Sequence, residues 1–289
     1  MKILVFGSLN YDYTYRVEHF VKPGETTASL ELMTFCGGKG LNQAIAVCRA
    51  GETVYLAGIV GEDGELLIKT AIENGVRAEY VKKKKGKSGH AIIQLDAAAE
   101  NAILIHGGTN QEITEEYADA VLSMFTEGDL LLLQNEISCL PHIIAKAAEI
   151  GMKIILNPSP CNDMLLDCNL HAVSVFILNR GEGEYFSGTS DPQGIFSYFQ
   201  REYPNASIVL TLGAHGSMCL KDGKIIAIPA VTTDVLDTTG AGDTFTGYYV
   251  SGICRGLSTE AALSRCSKAA AIAVGRMGAT SSIPYESEL

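Results

Sequence analysis

Short apolar runs alternate with helix-spaced segments along most of the chain, and few folds satisfy that pattern. Ile3–Gly7, Val54–Val60, Leu130–Gln134, Ile154–Asn157, Val175–Leu178 and Ile208–Leu212 are nearly continuous in apolar residues. Strands apolar on both faces belong in a parallel sheet covered on both sides. Between them, Leu41–Arg49, Glu65–Asn74, Thr114–Phe125, Pro141–Ile150 and Pro192–Glu202 read as helices. Thr114-Glu115-Glu116 has the form of a helix start, a hydroxyl cap followed by acids. The expected fold class is α/β: a doubly wound, mostly parallel sheet flanked by helices. The 289 residues are read as one domain, 1–289, with no repeat or low-complexity linker.

Two regions depart from this pattern. Tyr13–Phe20, Thr27–Phe35, His90–Leu95 and Ala102–His106 alternate apolar and polar residues with period two. That is the mark of antiparallel strands with one wet face. They fall in two segments, about 13–35 and 77–107, and predict a small antiparallel β-sheet beside the main one, serving as lid or interface. Lys221-Asp222-Gly223-Lys224 predicts a hairpin between Met218–Leu220 and Ile225–Ile228, because Asp-Gly suits a two-residue turn. Ala241–Arg255 and Thr259–Val274 predict helices rich in small residues.

The strongest chemical signal is Asp237-Thr238-Thr239-Gly240-Ala241-Gly242-Asp243, a polar glycine turn running straight into a helical stretch. It places the amides of Gly240, Ala241, Gly242 and Asp243 at a helix N-terminus, where they can hold an anion. A carboxylate there can accept a proton from a bound hydroxyl. The same residues also satisfy a plain helix cap after a glycine turn. The stretch is not a dinucleotide fingerprint, since Gly247 arrives too late, and the chain has no P-loop. A second glycine turn, Gly37-Gly38-Lys39-Gly40, opens another helix with Asn42 in its first turn. Asn42 there is either a cap or, with Asn10 and Asp12 after the first strand, part of a hydrogen-bonding set for a polyhydroxylated ligand.

A net charge of −11 argues against nucleic acid as the main partner. The basic run from Lys82 to Lys87 reads as a solvated loop or strand edge. No apolar run reaches the ~18 residues a membrane helix needs. Met1–Gly7 reads as a first strand rather than a leader. Eight scattered cysteines without a C-x-x-C pair are expected to be reduced, mostly buried thiols of a cytoplasmic protein, not zinc ligands.

Six motifs taken together resemble the ribokinase branch of the PfkB carbohydrate kinase family. They are Gly7-Ser8-Leu9-Asn10-Tyr11-Asp12, Pro23-Gly24-Glu25-Thr26, Gly37-Gly38-Lys39-Gly40-Leu41-Asn42-Gln43, Asn179-Arg180-Gly181-Glu182, Thr211-Leu212-Gly213-Ala214-His215-Gly216 and Asp237–Asp243. The resemblance covers nearly the whole chain. It implies transfer of the ATP γ-phosphoryl group to a primary hydroxyl, with D-ribose the expected acceptor. By resemblance, Asn10, Asp12, Gly38, Asn42 and Glu136 hold the sugar and Asp243 is the base, while Gly240, Ala241 and Gly242 form the anion hole. Asn179 and Glu182 resemble the family pair near the phosphates and Mg2+; Thr211, Gly213 and Gly216 resemble part of the ATP loop. A K+ site is implied at Asp237, Thr239, Ala273, Arg276, Gly278 and Ser282, although Gly275–Gly278 is also readable as a helix C-cap and turn. The segment from Glu100 to Asn110 resembles the ribokinase lid, which implies a homodimer through the lid sheet.

Tyr11 and the lysine-rich stretch before His90 depart from the family pattern. Another kinase of the family, for a nucleoside, fructose or a sugar acid, is the alternative; a nucleoside kinase should add apolar residues for a base. A catalytically inactive sugar-binding regulator should have lost the base or the glycines, and both are present.

Overall fold

A computed structural model describes residues 1–97 and 100–289. The first half of the chain contains β1 (Ile3–Phe6), β2 (Asn10–Arg16), β3 (Glu31–Gly37), α1 (Lys39–Arg49), β4 (Val54–Val60), α2 (Glu65–Glu73), β5 (Arg77–Lys83), β6 (Gly89–Leu95), β7 (Asn101–His106), α3 (Glu115–Leu122) and β8 (Leu130–Gln134). The second contains α4 (Leu140–Ile150), β9 (Lys153–Asn157), β10 (Val173–Asn179), α5 (Arg180–Ser187), α6 (Pro192–Glu202), β11 (Ser207–Thr211), β12 (Ser217–Lys221), β13 (Lys224–Ile228), α7 (Ala241–Cys254) and α8 (Thr259–Val274).

A nine-stranded sheet runs β13-β12-β11-β10-β9-β8-β1-β4-β5. Its pairings are parallel from β11 to β5, and antiparallel only at β11–β12 and β12–β13. Strand alternation explains the two cores. Ile3 and Val5 of β1 join a cluster with α1, α7 and α8, whereas Leu4 and Phe6 face α3, α4 and α6. The β12–β13 turn has Asp222 and Gly223 at φ 50° and 71°, which is why Asp-Gly stands there.

The second sheet has four strands in the order β3-β2-β6-β7. It departs from the sequence expectation in three ways. Its central pair, β2–β6, is parallel, because both strands leave the large sheet in the same direction. Strand β2 begins at Asn10, not Tyr13, since Asn10 and Thr14 are polar yet buried and hide the alternation. Arg77–Lys83, expected in the lid segment, is the parallel edge strand of the large sheet. Its lysines bond as an edge does, Lys83 to Glu65 and Lys84 to Glu112. Helix α5 had no apolar periodicity to announce it; its start is set by a capping box between Asn179 and Glu182.

The parallel strands end together. Gln134 pairs with Asn157 across β8–β9, and Asn179 with Thr211 across β10–β11, each the last residue of its strand. In an open α/β sheet that edge is where ligands bind. Helices α1 and α7 lie against each other above it, closely because a Cβ on Gly247 would stand 2.4 Å from the Ala46 Cβ and 2.7 Å from the Val47 nitrogen. Gly247→Ala is therefore expected to push the helices apart and lower stability by about 1–3 kcal/mol. Equilibrium denaturation checks this, and an unchanged midpoint would contradict the packing argument.

Candidate active site

Two helix N-termini meet above the strand ends. Gly38 caps α1 at φ 89° and Gly240 caps α7 at φ 76°, backbone conformations that glycine adopts without strain. A side chain on Gly38 would also collide with the Asn10 amide, 2.8 Å from an added Cβ. Asp243 lies in the first turn of α7 and is buried. Its Oδ2 accepts from Asn42 Nδ2 at 2.9 Å and its Oδ1 from Gln43 Nε2 at 2.9 Å, so α1 supplies both donors. Such bonds to an ionised group are about twice as strong as neutral ones.

The three expected anion-hole amides are not equivalent. The Ala241 amide donates to the Thr238 carbonyl at 3.3 Å, closing the turn. The amides of Gly240, Gly242 and Asp243 have no acceptor among the described residues, which leaves the helix terminus open to an anion.

Three clefts converge on this turn. The largest, about 510 Å³, is lined by Thr211, Gly213, Gly216, Thr238, Gly242 and Phe245. A cleft of about 200 Å³ brings together Lys39, Asn179, Glu182, Thr238, Gly242 and Asp243. A third, about 170 Å³, lies under the small sheet, between Asp12, Thr14 and Phe35 on one side and Asp237–Thr239 and Gly278 on the other. Met33, Ile93 and Leu95 complete its upper wall.

Charge is concentrated here. Burial pushes the Asp12 carboxyl up to about 7, helped by the Glu136 and Asp243 carboxylates. Burial also raises the Glu136 carboxyl, against the opposing pull of Lys39 and of the Ser8 hydroxyl and Lys39 amide that donate to it. For Lys39, burial alone would depress the ammonium, but Asp243, Glu136 and Glu182 outweigh it and the net direction is up. Lys39 therefore stays a cation among carboxylates.

A family model described as pfkB family carbohydrate kinase matches residues 1–286. The chain belongs to that family. It is 32% identical over 292 residues to ribokinase from Bacillus subtilis (strain 168), covering 99% of this chain and 97% of that one. Ribokinase from Cryptococcus neoformans var. grubii serotype A, solved in complex with ADP, matches with a TM-score of 0.88 at 35% identity, over 99% of this chain and 98% of that one. Ribokinase from Arabidopsis thaliana, complexed with ribose and ATP, matches with a TM-score of 0.85 at 28% identity, over 99% and 96% of the two chains.

On this carbohydrate-kinase fold, the residues singled out in the sequence occupy distinct places. Asn10 is buried at the start of β2 in the small sheet, its Oδ1 accepting from Asn110 Nδ2 at 2.7 Å. Asp237 ties two segments, its carboxylate accepting from the Thr239 amide and the Gly278 amide, each at 2.9 Å. Ser282 is buried and donates to the Ala279 carbonyl at 2.8 Å. Arg276 turns its guanidinium to Glu288, leaving only its main chain toward that loop, and the Ala273 carbonyl accepts the Arg276 amide at 3.0 Å. The donors in this group are carboxylate, hydroxyl and main-chain oxygens, a set that fits a hard cation. No group of three or more His, Cys, Asp or Glu residues is poised to hold a metal among the described residues. All eight cysteines are free, but only Cys219 and Cys266 are fully buried.

Sequence reasoning missed Lys39, Gln43, Asn157 and Thr238 as site residues. Lys39 and Gln43 stand inside a motif already singled out, on either side of Asn42; Asn157 has no local signal beyond ending a strand.

The Asp12 shift gives a sign for ligand binding. A sugar hydroxyl donates best to an ionised carboxylate, so binding should weaken as pH falls below about 7. Calorimetric titration of ribose between pH 5.5 and 8.5, values chosen to bracket that region at roughly 1.5 units each side, should show this limb, and Asp12→Asn should flatten it. A pH-independent affinity in the parent protein would refute the assignment.

Proposed function

We propose that this protein is an ATP-dependent sugar kinase that transfers the γ-phosphoryl group to the primary hydroxyl of D-ribose, giving ribose 5-phosphate. The observation that carries the reading is the position of Asp243. Its carboxylate lies in the first turn of α7 and lines one cleft with Lys39, Asn179 and Glu182, and Thr238, in the turn just before it, is shared by that cleft, the large cleft and the lid-covered cleft.

ATP occupies the large cleft, with Thr211, Gly213 and Gly216 along its nucleotide end. The sugar lies under the small sheet, held by Asn10, Asp12, Gly38, Asn42 and Glu136. Asp243 accepts the proton of the attacking hydroxyl as the bond to phosphorus forms. Free amides at Gly240 and Gly242 face the charge that develops on the transferring group, with Ala241 holding the turn. Lys39 adds a positive charge at the same place. Mg2+ bound with ATP supplies charge neutralisation at the phosphates, and Asn179 and Glu182 would hold its hydrated ion. Potassium fits the loop of Asp237, Thr239, Ala273, Arg276, Gly278 and Ser282. Its oxygens support the turn that bears the amides.

One observation favours a second reading. Met33, Phe35, Ile93 and Leu95 give the sugar cleft an apolar wall, which suits an acceptor with an apolar face such as a nucleoside. ADP release over ribose, deoxyribose, fructose, adenosine and sugar acids, with and without potassium, separates the two. Ribose should lead; preference for adenosine would favour the second reading, and no ADP with any acceptor would reject the kinase. Asp243→Asn should lower kcat at least about 100-fold with sugar binding largely kept.

A homodimer through the lid is part of the same reading. Ile103, Leu104 and Ile105 of edge strand β7 are 53%, 69% and 49% exposed, and Leu32 of β3 is 53% exposed. Consecutive exposed aliphatic residues on an edge strand favour burial against a second copy. The unpaired thiols suit a reducing, cytoplasmic setting. Light scattering should give a dimer, and Leu104→Lys should shift it toward monomer; a monomeric parent protein would refute this part.

A further inference from the structure

Gln43 follows Asn42 in the first turns of α1 and is fully buried, as is Gln134 at the end of β8. The Gln43 amide nitrogen donates twice, to Asp243 Oδ1 at 2.9 Å and to Asn157 Oδ1 at 3.0 Å. Its oxygen accepts from Gln134 Nε2 at 2.7 Å. An amide can flip, and a flipped Gln43 would turn its carbonyl oxygen onto the Asp243 carboxylate. The Gln134 donor claims that oxygen and so fixes the orientation. Gln134 is packed there against the bare backbone of Gly7, where an added Cβ would stand 2.1 Å from its Oε1, and that oxygen has no hydrogen-bond partner among the described residues. Beyond Asn157 the chain of contacts continues. Asn157 Nδ2 donates to the Ile177 carbonyl at 3.0 Å and reaches Glu182 Oε2 at 3.5 Å, and Glu182 closes the capping box with Asn179.

We propose that Gln43, locked by Gln134, is the positioning residue that orients the Asp243 carboxylate and ties it through Asn157 to the Asn179–Glu182 pair. This rests on the kinase reading of the site. Asn42 cannot replace it. Asn42 holds the other carboxylate oxygen, and its own Oδ1 has no partner among the described residues, which frees that atom for a ligand hydroxyl. Gln43 is spent wholly on protein groups. Its role is orientation, not substrate contact.

The test uses Gln43→Met, which keeps the length and removes both donors. Expected is a fall in kcat of about 10- to 100-fold with the sugar KM within about 3-fold, because the sugar's polar partners are untouched. Gln134→Met provides a second view, because it leaves Gln43 and Asp243 in place. Freed to flip, the Gln43 amide should cost about 3- to 10-fold in kcat, again with KM kept. A purely structural role would not split kcat from KM. Folding is checked by melting temperature and sugar binding by calorimetry. If folded Gln43→Met matches the parent in kcat, or if Gln134→Met alone is without effect, the positioning role is refuted while the kinase reading stands. If the parent releases no ADP with any acceptor, the kinase reading itself has failed.

Discussion

Everything at the site depends on one buried carboxylate being shared between two helices. Asp243 belongs to α7, but both of its side-chain donors, Asn42 and Gln43, belong to α1. Hydrogen bonds to a charged group contribute about 1.5–3 kcal/mol each, and a buried carboxylate left without donors costs far more than that. The arrangement therefore demands that the two helices approach closely and begin at the same height. Gly247 allows the first by offering no side chain to Ala46 and Val47. The positive-φ caps Gly38 and Gly240 allow the second, turning the chain sharply from loop to helix beneath the ligand space.

The electrostatic balance is a consequence of this sharing. Glu136, Glu182 and Asp243 crowd around one ammonium, that of Lys39, and Asp12 lies near Glu136 and Asp243. Such a group repels itself, which is the second reason, after burial, that Asp12 is held near neutrality rather than fully ionised. A ligand that brings hydroxyl donors relieves the crowding, because each donor stabilises a negative oxygen. The partial positive charge of α7 lies at the free amides of Gly240 and Gly242, which in the proposed reaction face the phosphate.

Much of this was legible in the sequence for a physical reason. Buried parallel strands write their burial as unbroken aliphatic runs, so the large sheet could be read from β1, β4 and β8–β11 directly. Glycines before a helix are equally plain, and they marked both turns that frame Asp243. Other features left no such trace. Strand β5 carries lysines at its exposed edge and looks like part of the lid. Helix α5 is specified by a capping box rather than a periodic face. The parallel pairing of β2 with β6 depends on where the chain leaves the large sheet, which no local pattern records. The polar set suggested a polyhydroxylated ligand, yet Met33, Phe35, Ile93 and Leu95 converge from β3 and β6 to make an apolar wall. The most consequential omission was Gln43: its partners Gln134, Asn157 and Asp243 are 91, 114 and 200 residues away.

Thr238 lines all three clefts, so the turn before α7 is a wall common to them. Asp237 anchors this turn to the loop around Gly278, while Gln43 and Asn157 anchor the first turn of α7 to the strand ends. A transfer between two bound ligands needs the acceptor oxygen, the base and the charge-stabilising amides in fixed relation. Under the proposed function the base and the amides are close neighbours in one turn, held by Asp237 on one side and by Gln43 and Asn157 on the other, and neither of the side chains that hold the Asp243 carboxylate comes from the small sheet.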